Sequence, residues 1–449
     1  MGRMRRRTLL CLVLILTAQL WAADKRSATD LIALANTHSP DLRAAIETSF
    51  EPAKLEEGTA WTGHGAEFFF ALKSASQPTL NIDDGTAVEM AQISGTDLWY
   101  SAAHIEPVGR LHQFNYLING ARFGGRLDVP AFSSLSYLQP GVPSGKLSDK
   151  IIHASKIYEG MMSEYWIYVP AQYDPKTPAA IMVFQDGGGY IDRNGDNPAL
   201  NVIDNLIAKK KIPVMICVFI NPGDISESPG TPTYNFVKGH SDRRHRTMRD
   251  AMRSTLYDTV SDRYARFLRD EILADVGAKY NLRHDAYSHA ITGASSGGIC
   301  SFNAAWQMPG FFSRVIAWIG SFTNIQWKED PAIHDGGQDY PDKILREPHR
   351  NMRVWLQDGA NDLSFPQWGD WPLNNIRMAN SLKSMEYDFH FSFGKGTHNG
   401  GQGAAEFPEE MIWLWRDYDA AKTEQQFVAD PAEKSKPYYR VGIVSRPSE

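Results

Sequence analysis

Two kinds of hydrophobic pattern divide the chain. From about Glu67 to Phe132 the apolar residues come in short alternating or clustered runs: Glu67–Lys73, Ala87–Ile93, Leu98–Ser101 and His112–Ile118. Asp83-Asp84-Gly85 and Asn119-Gly120 between them are hairpin-type turn signals. Strands this short and this closely spaced predict a small β-sandwich over 59–132. From about Leu147 onward, apolar strands alternate with amphipathic helices. The strands are Ile151–Tyr158, Glu164–Val169, Ala180–Phe184, Pro213–Ile220, Ser288–Thr292, Arg314–Ile319, Met352–Gln357 and Tyr387–Phe393. The helices are Asn201–Lys209, Val260–Val276, Ile299–Met308 and Ala404–Tyr418. The first two strands read as a hairpin. The rest are buried-type strands between helices, which predicts an α/β domain with a parallel, doubly wound sheet over 147–420. Such sheets bind ligands at the carboxyl ends of their strands.

Two short helical patterns between Thr29 and Phe50 define a helical segment, 24–58. Ser39-Pro40-Asp41 reads there as an N-cap with proline at N1. The stretch Leu127–Lys146 carries Pro130, Pro140 and Pro143, and 133–146 is expected to link the two domains. Residues 421–449 follow the last helix as a tail.

The first residues belong to neither pattern. Arg3, Arg5, Arg6 and Arg7 precede an apolar run, Leu9–Leu16, and small residues lie between Ala18 and Ala23. Residues 1–23 therefore read as a secretory signal peptide, so a periplasmic or secreted protein is expected. The run is too short for a comfortable membrane anchor. Without its four arginines, 42 Lys and Arg face 52 Asp and Glu, a net charge of about −10. That balance argues against general nucleic-acid binding. Cys217 and Cys300 then remain, both in apolar settings, so no disulfide framework is expected.

The α/β region centres on Gly293-Ala294-Ser295-Ser296-Gly297-Gly298, with a strand before and a helix after. That is the context of a nucleophile elbow, in which a serine sits on a sharp strand-to-helix turn with its hydroxyl exposed. Ser295 is favoured over Ser296, having glycine at both −2 and +2. A serine hydroxyl needs a base, and the base needs an orienting acid. Downstream, the strand ending at Phe393 leads into Gly394-Lys-Gly-Thr-His398, which makes His398 the candidate base. His390 lies within its strand and reads as a packed residue. The strand ending at Gln357 leads into Asp358-Gly-Ala-Asn-Asp362. Asp362 is the candidate acid, with Asp358 its rival and Asp370 a weaker third. An oxyanion hole is expected from the N–H of Ser296 and one N–H of the loop Gln185-Asp-Gly-Gly-Gly-Tyr190, assigned to Gly187.

Cofactor motifs fail. The glycine loop has Asp192 where a dinucleotide fingerprint needs its third glycine. Asp192–Asn197 resembles a calcium loop, but its twelfth position is Ile203 rather than Glu. No zinc spacing is present, and no metal or cofactor is expected. Two features bear on substrate. Arg243, Arg244, Arg246, Arg249 and Arg253 form a basic stretch in a net-acidic protein. It reads as a solvated connection or as an anion-binding wall, with Arg244 and Arg246 as its candidates. Trp368 and Trp371 read as packing or as an aromatic wall for an aryl or sugar group.

Gln185-Asp-Gly187, Gly293–Gly298, Gly359-Ala-Asn-Asp362 and Gly396-Thr-His398 resemble the esterase-D-like group of α/β-hydrolases, over about Leu147–Tyr418. That group includes enterochelin esterases, feruloyl and acetylxylan esterases and the mycolyltransferases. The β region resembles the immunoglobulin-like (E-set) domain that precedes the hydrolase in enterochelin esterases, and Tyr257-Asp258 and the Glu271 helix also look like that group. The resemblance implies a Ser295–His398–Asp362 triad that hydrolyses carboxylic esters without a cofactor. The expected substrate is a siderophore-type or polysaccharide-linked (feruloyl or acetyl) ester. The export signal departs from the cytoplasmic enterochelin esterases and favours the polysaccharide-linked class. An acyltransferase with the same triad, and a carbohydrate-binding protein that has lost activity, are the competing readings.

Overall fold

The computed structural model describes residues 26–83, 85, 87–105, 111–223, 248–325 and 336–440, and only the backbone of 248–251. The stretch 1–23 and Arg243, Arg244 and Arg246 lie outside the described residues. The chain divides after Ser133 into two compact units.

The first unit opens with three helices, α1 (Ala28–Asn36), α2 (Leu42–Ser49) and α3 (Pro52–Glu56). A Ser27–Asp30 capping box starts α1. The expected Ser39 cap with Pro40 at N1 is not formed: the N-cap of α2 is Asp41. Ser39 instead closes a turn ahead of the helix, taking the N–H of Leu42 on its carbonyl and that of Asp41 on its hydroxyl. Eight strands follow: β1 (Ala60–His64), β2 (Glu67–Lys73), β3 (Pro78–Ile82), β4 (Val88–Glu89), β5 (Ala91–Gln92), β6 (Leu98–His104), β7 (Leu111–Ile118) and β8 (Ala121–Pro130). They form two antiparallel four-stranded sheets, β1-β2-β6-β5 and β4-β3-β7-β8. Phe68, Phe70 and Leu72 of β2 join Leu80, Phe114 and Tyr116 of the other sheet in one core. Phe69 and Ala71 face the helices, packing with Leu31, Ile46 and Leu55. The run in β2 is continuously apolar because both of its faces are covered. Asn119 and Gly120, both at positive φ, turn β7 into β8 as their sequence predicts.

The second unit is built on a nine-stranded sheet: β9 (Lys146–Leu147), β10 (Ile151–Ala154), β11 (Met162–Val169), β12 (Ala180–Gln185), β13 (Met215–Ile220), β14 (His289–Ala294), β15 (Arg314–Trp318), β16 (Arg353–Asn361) and β19 (Asp388–Thr397). Its order is β10-β11-β13-β12-β14-β15-β16-β19, with β9 also on β11. The pairs from β13 to β19 are parallel; β9, β10 and β11 make an antiparallel edge. A short β17–β18 hairpin (Ser364–Phe365, Gly369–Asp370) lies apart from it. The helices are α4 (Ala199–Ala208), α5 (Met248–Tyr257), α6 (Arg263–Phe267), α7 (Leu273–Gly277), α8 (Ser296–Gln307), α9 (Tyr340–Arg346), α10 (Trp371–Ser384), α11 (Gly401–Leu414) and α12 (Pro431–Ser435).

Alternate residues of the central strands serve opposite faces. Val183, Val218, Ile291, Val315 and Val354 pack into one core with α8 and α10. Phe184 and Trp318 meet Phe407 of α11 on the other side. The sheet is therefore doubly wound. The single helix expected over Val260–Val276 is interrupted by a π turn, Leu268–Ile272. That turn presents Glu271, which accepts hydrogen bonds from His153 Nε2 and the N–H groups of Lys156 and Ile157.

The stretch 133–146, read as a linker, is tied to this unit. Asn201 and Asn205 of α4 donate to the carbonyls of Leu135, Ser136 and Tyr137. The residues after 420 are docked as well. Phe427 is buried against Arg314 and Arg353, and Glu433 of α12 pairs with His390. Neither attachment shows in the local hydrophobic pattern, because side-chain amides and ion pairs make it.

Candidate active site

β14 delivers the chain into the elbow, and α8 carries it away. Ser295 holds φ 59° and ψ −122°, which a residue with a Cβ adopts only under strain. The turn is held from several sides. The N–H of Ser295 donates to Trp318, while its carbonyl accepts from Gly298, Ile299 and Ser321. A Cβ on Gly293 would stand 2.6 Å from the Gly297 carbonyl oxygen, so only glycine allows so close a crossing.

The parallel register brings the other strand ends to the same edge. β16 pairs with β19 from Arg353 opposite Asp388 to Asn361 opposite Thr397, so both strands run beyond their predicted ends. Asp358 consequently lies within β16 and is fully buried, while Asp362 begins the turn beyond it. His398 follows β19 directly. Its Nε2 lies 2.8 Å from Ser295 Oγ and its Nδ1 2.5 Å from Asp362 Oδ1. The Asp362 side chain is wholly buried and that of His398 is one-fifth exposed. Asp370 instead caps α10 through the N–H of Leu373. His390 is packed on Trp355 with ring centres 4.0 Å apart.

A hydroxyl that sequence reasoning missed completes the cluster. Ser321, buried beyond the end of β15, has its Oγ 3.2 Å from Ser295 Oγ. The indole N–H of Trp371 donates to Ser321 Oγ at 3.1 Å. Trp371 is buried and meets the His398 ring edge-on at 5.6 Å. Trp368 is half-buried and packs on Phe365 at 5.3 Å. Nothing in the sequence marks Ser321: it lies 26 positions from Ser295 and in no motif.

The N–H of Ser296 opens α8, at the positive end of that helix. Opposite it, the chain leaves β12 through Asp186 in the left-handed conformation, φ 53°, and enters the turn Gly187–Gly189. The N–H groups of Gly188, Gly189 and Tyr190 are engaged by Asn221 Oδ1 and by the carbonyls of Asp186 and Gly187; that of Gly187 is not among them. Arg253, the described side chain of the basic stretch, is spent on Asp186. Behind the elbow lies Asp258, buried and facing Arg253, Ser254 and Ser296. Burial pushes its carboxyl up to about 6, against the pull of Arg253. Burial likewise raises the Cys300 thiol well above the ordinary range, which fits an inert packing residue; both cysteines are free.

The fold and this edge define an α/β-hydrolase of the carboxylic ester hydrolase class. The family model Esterase ("Putative esterase") matches residues 162–413, and the chain belongs to that family. The enterobactin esterase FES from Shigella flexneri, solved in the presence of enterobactin, is similar at 15% identity and a TM-score of 0.51, over 80% of this chain and 96% of that one. The same protein in the presence of 2,3-di-hydroxy-N-benzoyl-glycine aligns at 14% identity and a TM-score of 0.50, over 80% and 97%. A ferulic acid esterase from Anaeromyces mucronatus aligns at 16% identity and a TM-score of 0.46, over 64% and 96%. No curated protein sequence matches the chain.

Proposed function

We propose that the protein is an exported serine esterase acting through an acyl-enzyme. The observation that carries this reading is the continuous chain of hydrogen bonds from Ser295 Oγ through His398 to Asp362. Ser295 Oγ attacks the ester carbonyl carbon while His398 Nε2 takes its proton. The tetrahedral oxyanion is held by the N–H groups of Ser296 and Gly187. Collapse breaks the bond to the alcohol, which leaves with the proton from His398. Water then repeats the sequence: His398 takes its proton, hydroxide adds to the acyl carbon, and the acid departs as Ser295 is reprotonated. Asp362 keeps Nδ1 protonated and Nε2 available as the base.

The substrate class we propose is a siderophore-type ester, or a feruloyl or acetyl ester on a polysaccharide. The half-buried Phe365 and Trp368 pack on each other, and Phe365 meets Trp371, the ring that lies against His398, which supports an aryl or sugar group near the site. Residues 1–23 support export, which N-terminal sequencing of the protein recovered outside the cytoplasm tests.

Hydrolysis of a small aryl acetate by the protein beside its Ser295→Ala variant tests the mechanism. A loss of about a thousandfold or more is expected, together with fluorophosphonate labelling confined to Ser295. Equal rates and no labelling would overturn it. Added sugar acceptors that speed turnover would identify an acyltransferase instead. Feruloyl, acetyl-sugar and catecholate esters then divide the substrate class.

A further inference from the structure

Asp358 and Asp362 present a problem that the triad alone does not solve. Asp358 is fully buried in β16, and the Asp362 side chain is buried beside it. Asp358 Oδ1 accepts the N–H of Gly359 at 2.7 Å. Asp362 Oδ1 accepts from His398 and from the N–H of Leu363. The second oxygen of each carboxyl, Oδ2 in both, is buried and receives no hydrogen from any donor among the described residues. The two side chains are within hydrogen-bonding reach of each other. Asn375 of α10 faces Asp358, but its amide hydrogens already go to the carbonyls of Gly320 and Trp371.

Two buried acceptors that face each other are stable only with a proton between them. Asp362 Oδ1 is already engaged by the His398 imidazole. Asp358 faces Asp362, the N–H of Gly359 and Asn375. We propose that Asp358 is a positioning residue of the catalytic site: a neutral carboxylic acid that donates its hydrogen to Asp362 Oδ2 and so fixes the carboxylate that orients His398. Burial, and then the neighbouring Asp362, push the Asp358 carboxyl well above the ordinary range, in agreement with this assignment. The role rests on the reading of Ser295, His398 and Asp362 as a triad.

The donor also moderates charge. A hydrogen bond into Asp362 Oδ2 withdraws part of the negative charge that an imidazolium would face. Removing it strengthens that attraction, so His398 holds its proton to higher pH and the acid limb of kcat/KM moves up.

The test compares Asp358→Leu with Asp358→Asn. Leucine removes the donor: kcat is expected to fall about tenfold, and the acid limb to move up by about half a pH unit or more. Asparagine keeps a donor toward Oδ2 and an acceptor toward Gly359, and is expected to return the acid limb to its parental position. If Asp358 were ionised, asparagine would remove a negative charge and move the limb down. That outcome overturns the proposal, as does an unmoved limb in Asp358→Leu. The asparagine variant decides the question even if leucine prevents folding. NMR titration of the His398 ring in the same proteins reads the same displacement without turnover, so a failed esterase assay does not obscure the result.

Discussion

Arg253 holds Asp186 by two hydrogen bonds, Nε to Oδ1 at 3.1 Å and a terminal nitrogen to Oδ2 at 2.7 Å. Asp186 immediately precedes Gly187, and its left-handed backbone aims the glycine turn. The guanidinium also lies over the Tyr257 ring at 5.2 Å, and the Tyr257 hydroxyl accepts the N–H of Asp186. The start of the proposed oxyanion loop is thus held by α5.

Arg253→Ala should release this turn. Steady-state kinetics should show kcat reduced about tenfold or more with KM near the parental value. Arg253→Lys should recover only part of the loss, because lysine cannot make two parallel bonds. A parental kcat in the alanine variant would exclude this positioning role.

Ser321 and Trp371 should act as one unit. The indole N–H occupies one lone pair of Ser321 Oγ and leaves the hydroxyl hydrogen for Ser295 Oγ. Ser321→Ala and Trp371→Phe should each slow fluorophosphonate labelling of Ser295 about fivefold, an effect of roughly 1 kcal/mol. The double variant should be little slower than either single one. Additive losses would show that the two act separately.

Two glycines of one turn should respond differently to alanine. A Cβ on Gly187 would stand 2.3 Å from the Ile220 nitrogen, whereas one on Gly189 would meet nothing within 4 Å. Gly187→Ala must displace the loop, and a kcat loss of about a hundredfold is expected, the scale of one lost oxyanion donor. Gly189→Ala should stay within about twofold of the parent. Equal losses in the two variants would mean that flexibility of the turn, rather than close approach, matters.

The C-terminal attachment should weaken in acid. Burial raises the Glu433 carboxyl, but the hydrogen bonds from His390 and Lys436 outweigh it and bring the group from 4.5 to about 2. A carboxyl depressed in the folded state stabilises above its unfolded value, and this contribution disappears as pH falls through the folded one. Here it is on the order of 3 kcal/mol, present above about pH 5 and lost toward pH 2. Glu433→Gln should therefore lower Tm at pH 6–7, and the difference should shrink as the pH is taken down through that window. A difference independent of pH would assign the effect to packing alone.

The elements that were legible in the sequence are those specified by neighbours along the chain. A strand, two glycines and a helix around Ser295 predict the elbow without distant information, and Asn119-Gly120 predicts its turn in the same way. The continuous apolar run of β2 gave a strand but not the reason for its burial on both faces, which needs the helices on one side and the second sheet on the other. Ser39-Pro40 matched a cap pattern, yet its hydrogen bonds close a turn one step earlier.

By itself the sequence determined the α/β pattern, the elbow and the placement of an acid and a histidine after later strands. These follow from periodicity and from the local conformations that Gly, Ser and short apolar runs adopt. Only the tertiary structure puts Asp362, rather than Asp358, against His398. The choice depends on how far β16 stays paired with β19, and that register lies in contacts between residues 36 positions apart. The same holds for Ser321 at Ser295, and for Arg253 at Asp186, 67 positions away. Sheet order brings these groups together, and no local pattern along the chain encodes the distance between them.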